Sequence, residues 1–424
     1  MSEMDVKDAL AYIDGAKWFG AEPSLRRIEE LMHRLSDPQK KLKYIHIAGT
    51  NGKGSCAAML FSVLRSAGYR TGLYTSPYLY RFNERMQING EQISDTALAE
   101  CVAEVRDKAE KMDEHPTEFE LMTAAAFIWF ARESCDVVVL ETGLGGRFDA
   151  TNVIDAPECS VIMNIGLDHT AILGDTREKI AAEKAGIIKS HAPCVAYEQS
   201  DSVLDVFRAR CAELGCVLRI PDFSALRLEF DSLEGQVFSY RGEQYALSLL
   251  GEHQLRNAAV VIETADVLRG RGWNIERDAL EHGLYAASWP GRFELCSDEP
   301  YFIVDSGHNP QCAESVRDAM LRYFPGTRHV MLLGMLRDKD CRGFIETLDA
   351  AADEYVCTAP DSPRALSAEE LGAIVGDFSK PVTVCPDVAS AVAAAKEHAG
   401  NDGAVCAAGS VYLAGAVRYQ LGMY

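Results

Sequence analysis

The segment HIAGTNGKGS, closing on Gly49–Ser55, sets glycines, a lysine and a hydroxyl in the order that phosphate chemistry needs. Glycines let successive backbone N–H groups curl around phosphate oxygens, and a helix opening behind them adds partial positive charge. In such a loop Gly52, Lys53, Gly54 and Ser55 would hold a nucleotide. Lys53 supplies a cation for the β- and γ-phosphates, and Ser55 a hydroxyl for Mg2+ or a phosphate oxygen. The spacing departs from GxxxxGK[ST]: Ile47 stands at the first glycine position, and Gly54 separates Lys53 from Ser55. The plainer alternative is a Gly-rich turn with an exposed lysine.

Three further groups each follow an apolar, β-branched run. Ser76 lies in TSP, Glu141 closes VVVLE, and Asp168 and His169 follow VIMNIG. A hydroxyl, a carboxylate and an imidazole at neighbouring strand ends could converge near the phosphates of a nucleotide. Oxygen donors suit Mg2+, and an imidazole would also suit Mn2+. Singly, such a Glu is commonly a cap or ion-pair partner, and such a His a hydrogen-bonded core residue. Thr176–Ile187 reads as a helix with Ile180, Ala181 and Lys184 on one side. Lys184 is either solvated beside Glu183 or turned toward this cluster.

The elements that must position these groups alternate between strand and helix. KYIHIAG (43–49), RTGLYTS (70–76), CDVVVLE (135–141), CSVIMNIG (159–166) and PCVAY (193–197) read as strands apolar on both faces. That pattern predicts a mostly parallel sheet covered on both sides, with ligands beyond the carboxyl ends of its strands. LRLEF (226–230), GQVFSY (235–240) and EQYALSL (243–249) alternate with period two, which predicts a small antiparallel meander attached to that sheet. Helical periodicity resumes over 253–269 and 277–287. Pro and Gly interrupt it in SWPGRFELCSDEP (288–300), so the domains are expected as 1–289, a linker at 290–299, and 300–424. The last is expected to be a smaller α/β, Rossmann-like domain, with strands in YFIVDS, RHVMLLG, EYVCTA, PVTVC and GAVCAAG.

The 424 residues carry 42 Lys and Arg against 63 Asp and Glu, a net charge of −21. That balance opposes any sequence-independent grip on nucleic acid or on an anionic membrane. No apolar run approaches the roughly 18 residues of a membrane span, and the start MSEMDVKDAL has no apolar signal core. Thirteen cysteines, an odd number without a CxxC, are expected as reduced thiols in a cytoplasmic protein.

Nine blocks, in order, carry a resemblance: GTNGKGS (49–55), TSPYLYRFNERMQING (75–90), TEFELMTAAAF (117–127), ETGLGGRFDATN (141–152), GLDHTAILGDTREKIAAEKAGIIK (166–189), GEHQLRNAA (251–259), PGRFE (290–294), DSGHNP (305–310) and DKD (338–340). GSVYLAG (409–415) adds a less distinctive tenth. Together they resemble the folylpolyglutamate synthase/dihydrofolate synthase family of the Mur ligase superfamily. The resemblance implies Mg2+ ligands at Ser76, Glu141 and His169. It implies ATP contacts at the Gly52–Ser55 loop, Asn257, Arg292 and Asp305, although a boundary salt bridge is the alternative for Arg292. Lys184 matches a lysine carried as an N-carboxylated ligand of a second Mg2+. Glu118, Phe119, Phe148, Asp149 and Ala150 match positions facing the pteroate end of a folate, with core packing the alternative for Phe119. His308, also the candidate general base, and Ser410 are expected near the glutamate. A family loop corresponds to Phe19–Ser24 without a residue match. The implied reaction is ATP-dependent addition of L-glutamate to a folate or dihydropteroate carboxylate through an acyl phosphate, by a monomer. Another Mur-type amino-acid ligase and a non-catalytic nucleotide-sensing module are the competing possibilities; TEFE and GRFDATN oppose the first, and the joint presence of Glu141, His169, Lys184 and Arg292 opposes the second.

Overall fold

A computed structural model describes residues 4–16 and 23–423. The chain forms two compact units. The first is built from the chain up to Tyr78, Phe82–Ala225 and Arg256–Ala287; the second from Leu79–Arg81, Leu226–Leu255 and Ser288–Tyr424.

The first unit carries an eight-stranded sheet: β1 (Tyr44–Ala48), β2 (Thr71–Tyr74), β3 (Met86–Ile88), β4 (Glu91–Gln92), β5 (Val137–Glu141), β6 (Cys159–Ile162), β7 (Cys194–Ala196) and β8 (Leu218–Arg219), in the order β4-β3-β2-β5-β1-β6-β7-β8. β2, β5, β1, β6, β7 and β8 run parallel, while β3 and β4 close one edge antiparallel. Every residue of β1, β2, β5, β6 and β7 is buried, as expected when helices cover both faces. On one face, helices Val6–Asp14, Arg26–Arg34, Asp95–Ala109 and Glu118–Arg132 supply an apolar cluster around Phe127 and Phe130. Further along the same face, where Ala48, Ile162, Cys194 and Ala196 continue it, Ile180, Ala181, Phe207 and Cys211 from helices Arg177–Lys184 and Asp201–Leu214 do so. Local chemistry sets helix starts: Thr117 and Glu120 form a reciprocal cap opening Glu118–Arg132.

The second unit carries two sheets. β9 (Leu226–Ser232), β10 (Gly235–Tyr240) and β11 (Glu243–Leu247) form the expected antiparallel meander, ordered β11-β10-β9. It is a separate sheet within the second unit, not an attachment to the large sheet. Tyr323 explains part of this grouping: its hydroxyl donates to Asp231 of β9 at 2.6 Å. β12 (Glu294–Asp298), β13 (Tyr301–Val304), β14 (His329–Leu333), β15 (Glu354–Cys357), β16 (Val382–Val384) and β17 (Ala404–Ala408) form the other, ordered β12-β13-β17-β14-β15-β16. Only β12 is antiparallel there. It lies within the stretch expected as a linker: residues 294–298 pair with β13 as an edge strand. Among the described residues no helix is long and apolar enough to cross a membrane, and all thirteen cysteines are free thiols.

Candidate active site

Parallel pairing brings four strand ends side by side in the first unit. Adjacent strands β2, β5, β1 and β6 deliver, in that order, Ser76, Glu141, the Gly49–Ser55 loop and Asp168–His169 beyond their carboxyl ends. The loop is pinned at its start, where Thr50 N–H donates to Asn164 O at 2.8 Å and the Thr50 hydroxyl to Gly166 O at 3.1 Å. Gly52 then turns left-handed at φ +83° and leads into helix Lys53–Ser66. A side chain at Gly52 would meet Asn257 Oδ1 at 2.8 Å, so Asn257, itself buried, walls the loop.

Lys53 Nζ donates to Thr50 O at 3.3 Å and stands 4.0 Å from Glu141 Oε1. The Ser76 N–H donates to Glu141 Oε2 at 3.3 Å. Glu141 is buried at the end of β5, so its carboxylate is held between a cation and a backbone donor. Among the described residues no three His, Cys, Asp or Glu side chains converge as a metal cluster. One carboxylate and one hydroxyl suit Mg2+, which takes its remaining oxygens from phosphates and water.

The sharper of the two alternatives for Lys184 is the observed one. Ile180, Ala181 and Lys184 are buried on one helix side, and Lys184 Nζ donates to Gly49 O at 2.8 Å. Burial, with the nearby Lys53 charge, pushes its pKa down to about 7, against the pull of Asp168 and Asp149. His169 is exposed, with a left-handed backbone at φ +50°, and its N–H donates to Asp168 Oδ1 at 2.8 Å.

Facing Lys184, the loop after β5 is held by Asp149. Asp149 Oδ2 accepts from Leu144 N–H at 2.8 Å, and Oδ1 accepts from the Thr151 N–H at 3.0 Å and hydroxyl at 2.5 Å. Burial raises the Asp149 carboxyl, opposed by these bonds. The carboxylate expected to face a pterin is thus spent on its own loop, and Ala150 is buried beside it. Sequence reasoning missed the next link: His46 Nε2 lies 2.8 Å from the Thr151 hydroxyl. That hydroxyl donates to Asp149, so it accepts from His46 Nε2–H. Burial lowers His46 to about 3 and keeps it neutral. A histidine one residue before the Ile47 position was the available signal.

Phe119 is half-buried against Tyr74, ring centroids 6.2 Å apart, and a methyl on Gly143 would meet its Cζ at 2.5 Å. Core packing therefore accounts for much of Phe119. Phe148 remains 47% exposed, a large apolar ring open to a ligand. Burial raises the Glu118 carboxyl, opposed by Arg85. Of the Phe19–Ser24 loop, residues 19–22 lie outside the described residues.

In the second unit the loops after β13 and β17 meet. Asp305 Oδ2 accepts from Phe293 N–H at 2.8 Å and Oδ1 from Gly307 N–H at 2.6 Å. Phe293 sits left-handed at φ +41°, so this carboxylate stabilises a strained backbone directly after Arg292. Arg292 Nη1 lies 3.4 Å from Gly291 O, and His308 Nδ1 3.1 Å from Ser306 O. Ser410, almost fully buried, caps helix Val411–Gln420 by accepting from Leu413 N–H at 3.0 Å, and Gly409 N–H donates to Gly307 O at 2.9 Å. Asp305, His308 and Ser410 thus share one loop cluster.

Known proteins resemble the chain over nearly its whole length. The Mur ligase middle domain matches residues 47–265, and the Mur ligase glutamate ligase domain residues 291–411. A Bacillus subtilis dihydrofolate synthase/folylpolyglutamate synthase is 37% identical, covering 98% of this chain and 99% of its own. Among solved structures, a Mycobacterium tuberculosis folylpolyglutamate synthase complexed with ADP superimposes with a TM-score of 0.91 at 32% identity, covering 98% of each chain. A bifunctional folylpolyglutamate synthase/dihydrofolate synthase with Mn, AMPPNP and L-glutamate bound gives 0.85 at 32% identity, covering 99% and 98%.

Proposed function

The chain belongs to the folylpolyglutamate synthase/dihydrofolate synthase family of Mur ligases, and from that premise we propose how its own residues join L-glutamate to a folate carboxylate at the expense of ATP. It is an ATP-dependent ligase. The acceptor carboxylate attacks the γ-phosphate in line, ADP leaves, and the resulting acyl phosphate is taken by the glutamate amine with release of phosphate. Phosphoryl transfer asks the protein mainly for position and charge.

The Gly52–Ser55 loop cradles the β- and γ-phosphates, Lys53 neutralises them, and Asn257 fixes the loop's shape. Divalent ions, one at Ser76 and Glu141 and a second at His169 and Lys184, would offset the repulsion between the phosphate and the attacking carboxylate. Lys184 takes part as an N-carboxylate: its neutral amine adds CO2, forming an N–C bond and losing one proton. The depressed pKa favours the neutral amine this addition needs. Asp305 holds the backbone directly after Arg292, and His308 is the base that receives the amine proton.

The observation that carries this proposal is the buried Lys184 amine, 2.8 Å from the phosphate-loop carbonyl of Gly49 and beside Lys53. Two like cations at one strand end are costly unless anions come between them. Phosphate release from ATP tests the function. Release is expected only with L-glutamate and either dihydropteroate or tetrahydrofolate; release with neither acceptor present would overturn it. Parallel assays with the two acceptors decide which one the enzyme uses.

A further inference from the structure

Arg85 is a buried cation to which neither phosphate binding nor metal binding gives a role. It is the last residue of the short helix Phe82–Arg85, directly before β3, and only 9% of it is exposed. Its Nε is buried without a hydrogen-bond partner among the described residues. None of the described carboxylates forms an ion pair with it. Its guanidinium lies 5.0 Å from the Tyr78 ring centroid and 5.4 Å from that of Phe82. Ring faces return only part of what desolvating a guanidinium costs. A buried arginine is stable when an anion meets its fork; among the described residues Glu118 stands near enough to feel this charge but does not pair with it.

Its position says which anion. Arg85 O accepts from Thr75 N–H at 3.0 Å, so the side chain is rooted beside the strand end that carries Ser76. Tyr74 of β2 faces Met86 of β3 in register and also packs on Phe119, so aromatic rings surround this corner. Tyr78 is 37% exposed and Phe82 buried, leaving one ring open and one fixed. A cation with an unfilled fork among aromatic rings, next to Ser76, fits a ligand with a carboxylate close to an aryl ring.

We propose that Arg85, between Tyr78 and Phe82, anchors the carboxylate end of the acceptor by a paired, fork-like contact while the rings take up its aryl group. The assignment rests on the folate function proposed above and adds a specificity-determining residue to it. The acceptor carboxylate would lie against Arg85 whether it is the single carboxylate of dihydropteroate or one of the pair on tetrahydrofolate.

Steady-state kinetics of Arg85→Gln and Arg85→Lys test it with each acceptor. Arg85→Gln is expected to raise the acceptor KM by roughly tenfold or more, with KM for ATP and glutamate within about twofold. Arg85→Lys should recover part of the loss. A rise with both acceptors would place Arg85 on the carboxylate end they share and supports the anchor; a rise confined to one acceptor would overturn it. Unchanged KM for both acceptors, or an equal rise for ATP, would overturn it. If the variants do not fold, melting of the unaltered protein decides. 4-Aminobenzoyl-L-glutamate should raise Tm and neutral 4-aminobenzamide should not; equal effects would overturn the assignment. Wild-type phosphate release without any acceptor is a different failure, and it would remove the folate function itself.

Discussion

The carboxyl ends of the two parallel sheets handle charge in opposite ways. At the large sheet, charged side chains stand with their needs incompletely met: Lys184 is buried with a neutral carbonyl for its partner, and Arg85 forms no ion pair among the described residues, although Glu118 stands near enough to feel its charge. At the smaller sheet two buried polar groups are turned inward and satisfied: Asp305 takes two backbone N–H groups and Ser410 caps a helix. One end stores electrostatic cost that a ligand can relieve. The other spends its polar groups on holding loops in shape. Substitutions in the first should therefore change activity with little loss of stability, and in the second stability should fall first.

The largest expected effect is at Lys184. Lys184→Ala should lower turnover by roughly 100-fold or more, with partial rescue by a short carboxylic acid that replaces the N-carboxylate. Its melting temperature should hold or rise, because a desolvated amine is removed. Wild-type turnover would dismiss the N-carboxylate, and a collapse in Tm would break the contrast between the two ends. Next is Asp305→Ala, which leaves the N–H groups of Phe293 and Gly307 without their acceptor and is expected to cost about 2–4 kcal/mol in chemical denaturation. An unchanged denaturation midpoint would show that the second cluster is not held as described.

His46 gives a smaller, pH-dependent effect. Its folded pKa of about 3 lies below the ordinary value of 6.5. The unfolded chain therefore gains a proton first as pH falls. Stability from this group is complete above pH 6.5 and lost progressively toward pH 3, at up to about 1.4 kcal/mol per pH unit. In His46→Gln the pH slope of the denaturation midpoint should flatten across that window; an unaltered slope would assign acid sensitivity elsewhere. The smallest effect is at Ser410, where Ser410→Ala should cost about 1 kcal/mol through loss of a helix cap. A much larger activity loss at unchanged Tm would move Ser410 from support to substrate contact.

Much of the first site was legible in the sequence because spacing along a strand fixes what emerges at its end. Gly52–Ser55, Ser76, Glu141 and His169 each follow a β-branched run, and parallel pairing does the rest. Lys184 was legible to within two alternatives, since Ile180, Ala181 and Lys184 share a helical face whose burial only the fold decides. Side-chain direction was not legible. Asp149 and Asp305 sit in conspicuous blocks, yet each turns back on its own backbone, a choice set by loop geometry that no periodicity encodes. Arg85 stood inside a quoted block without a role, because its lack of a partner is visible only once the neighbours are placed. The meander showed clear alternation, but nothing in its pattern says which neighbour it packs on. β12 was hidden by the Pro and Gly that flank it.

The first unit is not continuous along the chain: it is left at Ala225 and rejoined at Arg256. Asn257, which walls the phosphate loop at Gly52, thus emerges from the ribosome roughly 200 residues after the loop it supports. The nascent nucleotide pocket must wait, open on one side, while the meander is translated. A gene fragment ending at residue 225 would therefore encode the signature motif without the means to keep it in shape.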